Sequence, residues 1–159
     1  MATKYVQGHE LLIELEGGKL GCLTNITLNM ERAIIDASCR EMGNFTGGKK
    51  GALSGSIDFD GLVIIDNPAV ATNVRAQDLI DMMLDDDQAS VVNYVYGPGT
   101  NNGGDVDGTM GTPGDIAGSK VLTGTAILSS FSQTGGQGEN ATYSGTLTFD
   151  TRPTHAAVA

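Results

Sequence analysis

Apolar and polar positions alternate with a period of two along much of the chain, and two of the alternating runs are near copies. SGSIDFDG begins at Ser54 and SGTLTFDT at Ser144, about ninety residues later. In the first, Gly55, Ile57 and Phe59 fall on one side, with Ser54, Ser56, Asp58 and Asp60 on the other. The second sets Tyr143, Gly145, Leu147 and Phe149 against Thr142, Ser144, Thr146 and Thr148. Successive side chains leave opposite faces of a pleated strand, so each run predicts a half-buried strand. Further strands are predicted over residues 9–15, 22–30, 89–96, 120–132 and 141–150. Residues 33–37 read as another strand, or as a continuation of 22–30 after a bend. TGGQGEN, between the last two strands, is a hairpin signal.

One stretch follows a different period. From Ala76, apolar residues recur at Leu79, Ile80, Met83 and Leu84, one face of an amphipathic helix. Thr72 or Asn73 is placed to cap its start, and Asp85, Asp86 and Asp87 stand in solvent just beyond its end. A helix of about three turns cannot form a core alone and must pack on the sheet. Two loops punctuate the pattern. Residues 40–51 form a glycine-rich loop that concentrates positive charge, and residues 97–118 hold eight glycines and two prolines with almost no apolar anchor. Residues 153–159 read as a flexible C-terminal arm. Each copy of the Ser-Gly strand follows a long alternating strand, GCLTNITL or GTAILSSFS. This arrangement is that of two like hairpin units, arising by duplication or from the shared grammar of strands.

Composition narrows the class. At 159 residues the chain is expected to be a single domain, 1–159, able to bury a core without staples. Its formal charge of -10 disfavours a surface that grips nucleic acid. Cys22 and Cys39 are expected to be reduced, partly buried small side chains. No apolar signal core opens the sequence and no run is long enough to span a bilayer, so synthesis in a cytoplasm is expected. The sequons at Asn25, Asn44 and Asn140 are then idle.

Catalytic patterns are missing from the sequence. The two histidines, His9 and His155, lie near the termini. Asp58 and Asp60 share a strand face but read as solvated acids rather than an acid-base pair. GDIAGSK has its lysine after the serine and a strand after that, contrary to a phosphate loop. The acids around Val106 lack the downstream bidentate carboxylate of a calcium loop. No enzyme, metal site or cofactor is expected.

The order and spacing of these pieces resemble the major tail tube proteins of long-tailed bacteriophages. The block GCLTNITLNMERAIIDASCREMGNFTGGKKGALSGSIDFDGLV, the helix AQDLIDMML and the closing pair GTAILSSFS and ATYSGTLTFDT carry the resemblance and span most of the chain. Bacterial injection-device tubes are similar. The resemblance implies a mainly β fold, a β-sandwich or partial barrel of antiparallel strands with one flanking α-helix, with residues 97–118 as an insertion. It further implies hexameric rings stacked into a tube in the virion tail, met by tip or initiator and terminator proteins, through which double-stranded DNA passes without specific binding. By the same logic Ser54, Ser56, Asp58, Asp60, Thr142, Ser144, Thr146 and Thr148 line the lumen. Arg40, Lys49 and Lys50 would meet Asp85, Asp86 and Asp87 of a neighbouring ring. The alternative is a receptor- or carbohydrate-binding β-sandwich, for which a chain without tryptophan offers little aromatic surface to stack on sugars.

Overall fold

The computed structural model describes residues 6, 8–16, 18–20, 23–37, 47–63, 73–87, 91–99, 113–114, 116 and 118–157. After a short 3-10 turn at Gly8–Glu10 come strands β1 (Leu11–Leu15), β2 (Gly18–Leu20), β3 (Leu23–Asp36), β4 (Gly48–Leu62) and β5 (Asn73–Val74). Helix α1 (Ala76–Leu84) follows, then β6 (Val92–Pro98), β7 (Lys120–Thr134), β8 (Thr142–Phe149) and β9 (Thr154–Ala157). They form one sheet in the order β3-β4-β8-β7-β6-β1-β2-β5, with β9 also on β7. All pairs are antiparallel except β2 with β5. The end strands β3 and β5 do not pair, so the sheet is a partial barrel and not a closed one.

The near-copies are central neighbours. β4 and β8 run antiparallel with Ile57 opposite Leu147, Phe59 opposite Gly145 and Gly61 opposite Tyr143. Each glycine leaves room that a facing aromatic ring fills. A Cβ on Gly55 would lie 2.7 Å from the Phe149 ring, one on Gly145 2.7 Å from Phe59, and one on Gly61 2.6 Å from Tyr143. Reading one copy forwards against the other backwards matches glycine to aromatic throughout, which is why the chain writes the strand twice. The hairpins β3–β4 and β7–β8 thus sit side by side, joined through the two copies.

The inward faces close over a single core that includes Leu15, Leu20, Ile57, Phe59, Leu79, Tyr94 and Leu147. Tyr94 stacks on Phe149 with ring centres 5.2 Å apart, and Phe59 meets Tyr143 edge-on at 6.2 Å. Burial removes the Tyr94 hydroxyl from water, and among the described residues it has no hydrogen-bond partner. Its pKa is pushed up to about 12 by that burial.

Several expectations are corrected. Residues 33–36 continue β3, the second of the two readings given for them, whereas residues 48–51 of the expected basic loop belong to β4. Pairing steps from Arg32–Leu53 to Ile34–Lys50, so Ala33 faces both Gly51 and Ala52 in a bulge. Low strand propensity at Gly-Lys-Lys-Gly yields here to pairing with a strongly β-forming partner. Helix α1 has the expected bounds, but Arg75 is its N-cap and the Arg75 N–H donates to the Asp78 carboxylate at 2.8 Å. The helix buries Ala76 and Leu79 and part of Met82, whereas Leu84 is largely exposed and Ile80 and Met83 are partly so. Residues 153–159, expected to be an arm, contain β9, whose side chains are all exposed and which is held by backbone pairing to β7. Cys22, Cys39, Arg40, Asn44 and Thr72, with residues 100–112, lie outside the described residues. The described ends of the 97–118 loop are tied where the Gly114 N–H donates to the Pro98 carbonyl at 2.7 Å.

Candidate functional site

Opposite the core, strands β3, β4, β8 and β7 present one polar face. The register builds it in rows. Asn25, Asp60, Ser144 and Ser132 stand abreast, as do Thr27, Asp58, Thr146 and Ser130, then Asn29, Ser56, Thr148 and Ile127. Glu31 beside Ser54 extends the face at one end, and Thr142 beside Thr134 at the other. All eight residues expected to line a lumen therefore share one surface, drawn from the two like strands. A bulge in β7 at Ser129 is needed for this, because it turns Ser130, Ser132 and Thr134 outward after Ala126 and Leu128 have pointed in.

The face is cross-linked by short polar contacts. Asp58 accepts from Thr146 Oγ1 at 2.6 Å and from Asn29 Nδ2 at 2.9 Å, tying three strands through one carboxylate. The Ser132 and Ser144 hydroxyls lie 2.6 Å apart, and Thr148 Oγ1 donates to Ser129 Oγ at 3.0 Å. These rows are short and neutral or acidic, with no lysine or arginine in them, and Ile127 is their one exposed apolar member. Among the described residues no group of three His, Cys, Asp or Glu could hold a metal ion. Among the described residues no helix is long and apolar enough to cross a membrane.

Among the described residues both flanks of the four-stranded face are open: β3 ends the sheet, and β6 leaves β7 at the Val92–Ala126 pair, so residues 127–134 of β7 carry no described strand on that side. Unpaired strand edges are templates for pairing with another chain.

The fold has counterparts among solved structures. A chain of the tail of an empty gene transfer agent particle, refined with C6 symmetry, superposes with a TM-score of 0.63 at 17% identity, over 95% of this chain and 98% of that one. The SPP1 tail tube gives a TM-score of 0.64 at 9% identity, over 97% of this chain and 80% of that one. A chain of the sheath/tube terminator of an extracellular contractile injection system gives 0.64 at 16%, over 98% and 100%. The chain has the tail-tube fold. No protein-family model matches it, and no curated protein is similar enough in sequence to place it.

Within the tail-tube fold the remaining expected contact residues lie on separate elements. Lys49 and Lys50 sit in β4 opposite Ile35 and Ile34, and Asp85, Asp86 and Asp87 are exposed directly after α1. Sequence reasoning missed Ile34, Ile35, Ile80, Met83 and Leu84 as surface residues. Their alternation and helical spacing read equally well as core, and only the place where the sheet stops distinguishes the two.

Proposed function

We propose that this chain is a structural subunit of a viral tail tube, forming stacked hexameric rings around a DNA-conducting lumen, with no catalytic role. The observation that carries the proposal is the four-stranded polar face with two open edges, on a chain of tail-tube fold. An even number of antiparallel strands lets β3 of one copy join residues 127–134 of β7 in the next without breaking the up-down alternation. Six copies then make a continuous wall of about 24 strands at ~4.8 Å spacing, tilted ~40°, with a backbone diameter near ~48 Å. Side chains leave a bore of roughly 38 Å, enough for a duplex about 20 Å wide. Closure also removes the exposed edges.

The eight face residues Ser54, Ser56, Asp58, Asp60, Thr142, Ser144, Thr146 and Thr148 would then line the lumen as a hydrated, neutral to acidic wall. Six copies of a chain of charge -10 give a ring near -60, which lets phosphate slide past without sticking. Stacking would draw on the lysines of β4 and the acids after α1, and the tube ends would meet tip or initiator and terminator proteins. Synthesis in the host cytoplasm and residence in the virion tail follow from this role. The experiment is negative-stain electron microscopy with native mass spectrometry of the purified protein. Six-fold rings or hollow tubes with a bore near ~38 Å are expected. A strict monomer that also refuses to polymerise on a tail-tip template would overturn the reading.

A further inference from the structure

Two apolar patches face solvent on separate elements, and each is edged by charge of opposite sign. The first lies where the β3–β4 ribbon runs on past Arg32 and Leu53, beyond the reach of β8, whose pairing with β4 stops at Ser56. Ile34 is 80% exposed there and Ile35 58%. β3 keeps its alternation through the bulge, so Ile34 leaves the ribbon on the side of Arg32 and Leu53, which is the core side of the sheet, with Lys50 directly across. Ile35 and Lys49 leave on the other side, that of the polar face. The second patch is on α1, which packs on the core side. There Ile80, Met83 and Leu84 form an i, i+3, i+4 stripe, Leu84 being 72% exposed, and Asp81, Asp85, Asp86 and Asp87 around it are exposed.

We propose that the Ile34–Lys50 side of this ribbon in one copy docks on the Ile80–Met83–Leu84 stripe of α1 in a second copy, with Lys50 against the surrounding aspartates. The proposal rests on the self-assembly reading above and names the surfaces that join one ring to the next. Charge selects the match. On the Ile34 side Arg32 and Lys50 outnumber Asp36, so ribbon against ribbon gains little from charge, helix against helix would oppose the acids, and the mixed pairing of these patches is the most favourable. The aliphatic stem of Lys50 covers further apolar surface while its ammonium reaches the carboxylates. A contact between two different patches is heterologous, and such contacts propagate into open filaments unless a rotation closes them. The sheet edges account for closure within a ring, which leaves ribbon and helix to drive stacking.

The test compares single substitutions at exposed positions, for which folding is checked by circular dichroism. Ile34→Ser, Lys50→Asp and Leu84→Ser are each expected to raise the critical concentration for tube elongation at least about tenfold, with rings still seen by native mass spectrometry. Ile35→Ser, on the far side of the ribbon, is expected to shift it far less. In a Cys22→Ser, Cys39→Ser background, Ile34→Cys with Leu84→Cys is expected to yield cross-links between copies in tubes, and Ile35→Cys with Leu84→Cys is not. Tubes that elongate normally in all three variants, or cross-links from position 35 and none from position 34, would overturn the docking while leaving the tube reading standing. A wild-type protein that forms neither rings nor tubes would overturn the tube reading and this inference with it.

Discussion

A methyl group added at Gly145 tests whether the reciprocal fit of the two central strands holds the subunit together. In Gly145→Ala the new Cβ would lie 2.7 Å and 2.9 Å from two carbons of the Phe59 ring and 3.1 Å from the Ser130 carbonyl oxygen. The carbonyl belongs to the backbone of β7, and the ring is 1% exposed and fixed edge-on against Tyr143. Neither can give way cheaply. Overpacking of this kind costs about 1–3 kcal/mol, and the lower entropy of the unfolded alanine chain returns about 0.4–1 kcal/mol. The middle of each range leaves a net loss of about 1.3 kcal/mol, or roughly 3–5 °C in Tm for a chain of this size. Urea unfolding followed by circular dichroism reads it directly. Gly135→Ala is the control, since its Cβ would meet only Ala141 at 3.8 Å in the hairpin turn. Phe59→Leu removes the far end of the ring, so the double variant is expected to show a favourable coupling of at least about 1 kcal/mol. A Gly145→Ala protein as stable as the wild type, or strict additivity with Phe59→Leu, would refute the reasoning.

Three further outcomes are expected. Tyr94→Phe deletes a buried hydroxyl that has no partner among the described residues and should leave stability near pH 7 unchanged or raised by up to about 1 kcal/mol. Because burial raises the Tyr94 pKa from 10.0 to about 12, the wild type should lose stability as pH climbs through that interval, and Tyr94→Phe should lose less of it in denaturation series from pH 9 to 12. Asp78→Ala removes the acceptor for the Arg75 N–H at the start of α1 and should cost about 1 kcal/mol by urea unfolding; a cost near zero would show that the cap contributes nothing. Asp60→Lys places a cation on the proposed lumen wall, and its tubes should co-sediment with duplex DNA at low salt and release it at high salt, unlike wild-type tubes. Equal, negligible binding by both would argue against Asp60 facing the bore.

The strand faces were legible because pleating makes alternation nearly unambiguous wherever one side is buried. Ile57 and Phe59 against Asp58 and Asp60 needed no tertiary information, and the same holds for Leu147 against Thr146 and Thr148. Alternation is silent about where a strand loses its neighbours. Ile34 carries the same signature as Ile26, yet one stands in solvent and the other packs on the core, because β8 ends short of the ribbon. The helix shows a related limit. Its spacing located α1 to the residue, but packing of the helix on the sheet buries Ala76, Leu79 and part of Met82 and leaves Ile80 and Leu84 out. Gly48 to Gly51 read as a loop because glycine and lysine are poor strand formers, and their conformation is set by the partner strand. The bulge at Ser129, on which the outward turn of Ser130 and Ser132 depends, leaves no mark in the pattern that single-strand reading would catch.

At Gly55 and Phe59 in β4 and Gly145 and Phe149 in β8 the glycine-aromatic code is written alike, and only the Gly61–Tyr143 pair tells one strand from the other. Two β4 segments from different chains, laid antiparallel about Ile57, would set Gly55 of each under Phe59 of the other and keep the fit. Within one chain the proper mate is synthesised about ninety residues later, after α1 and β6 have emerged. During that interval the edge of β4 not taken by β3 is open to the like strands of other nascent chains before its own β8 exists. The spacing of ribosomes along a heavily translated message therefore becomes a folding variable, and crowded synthesis favours strand exchange between siblings over completion of the single subunit.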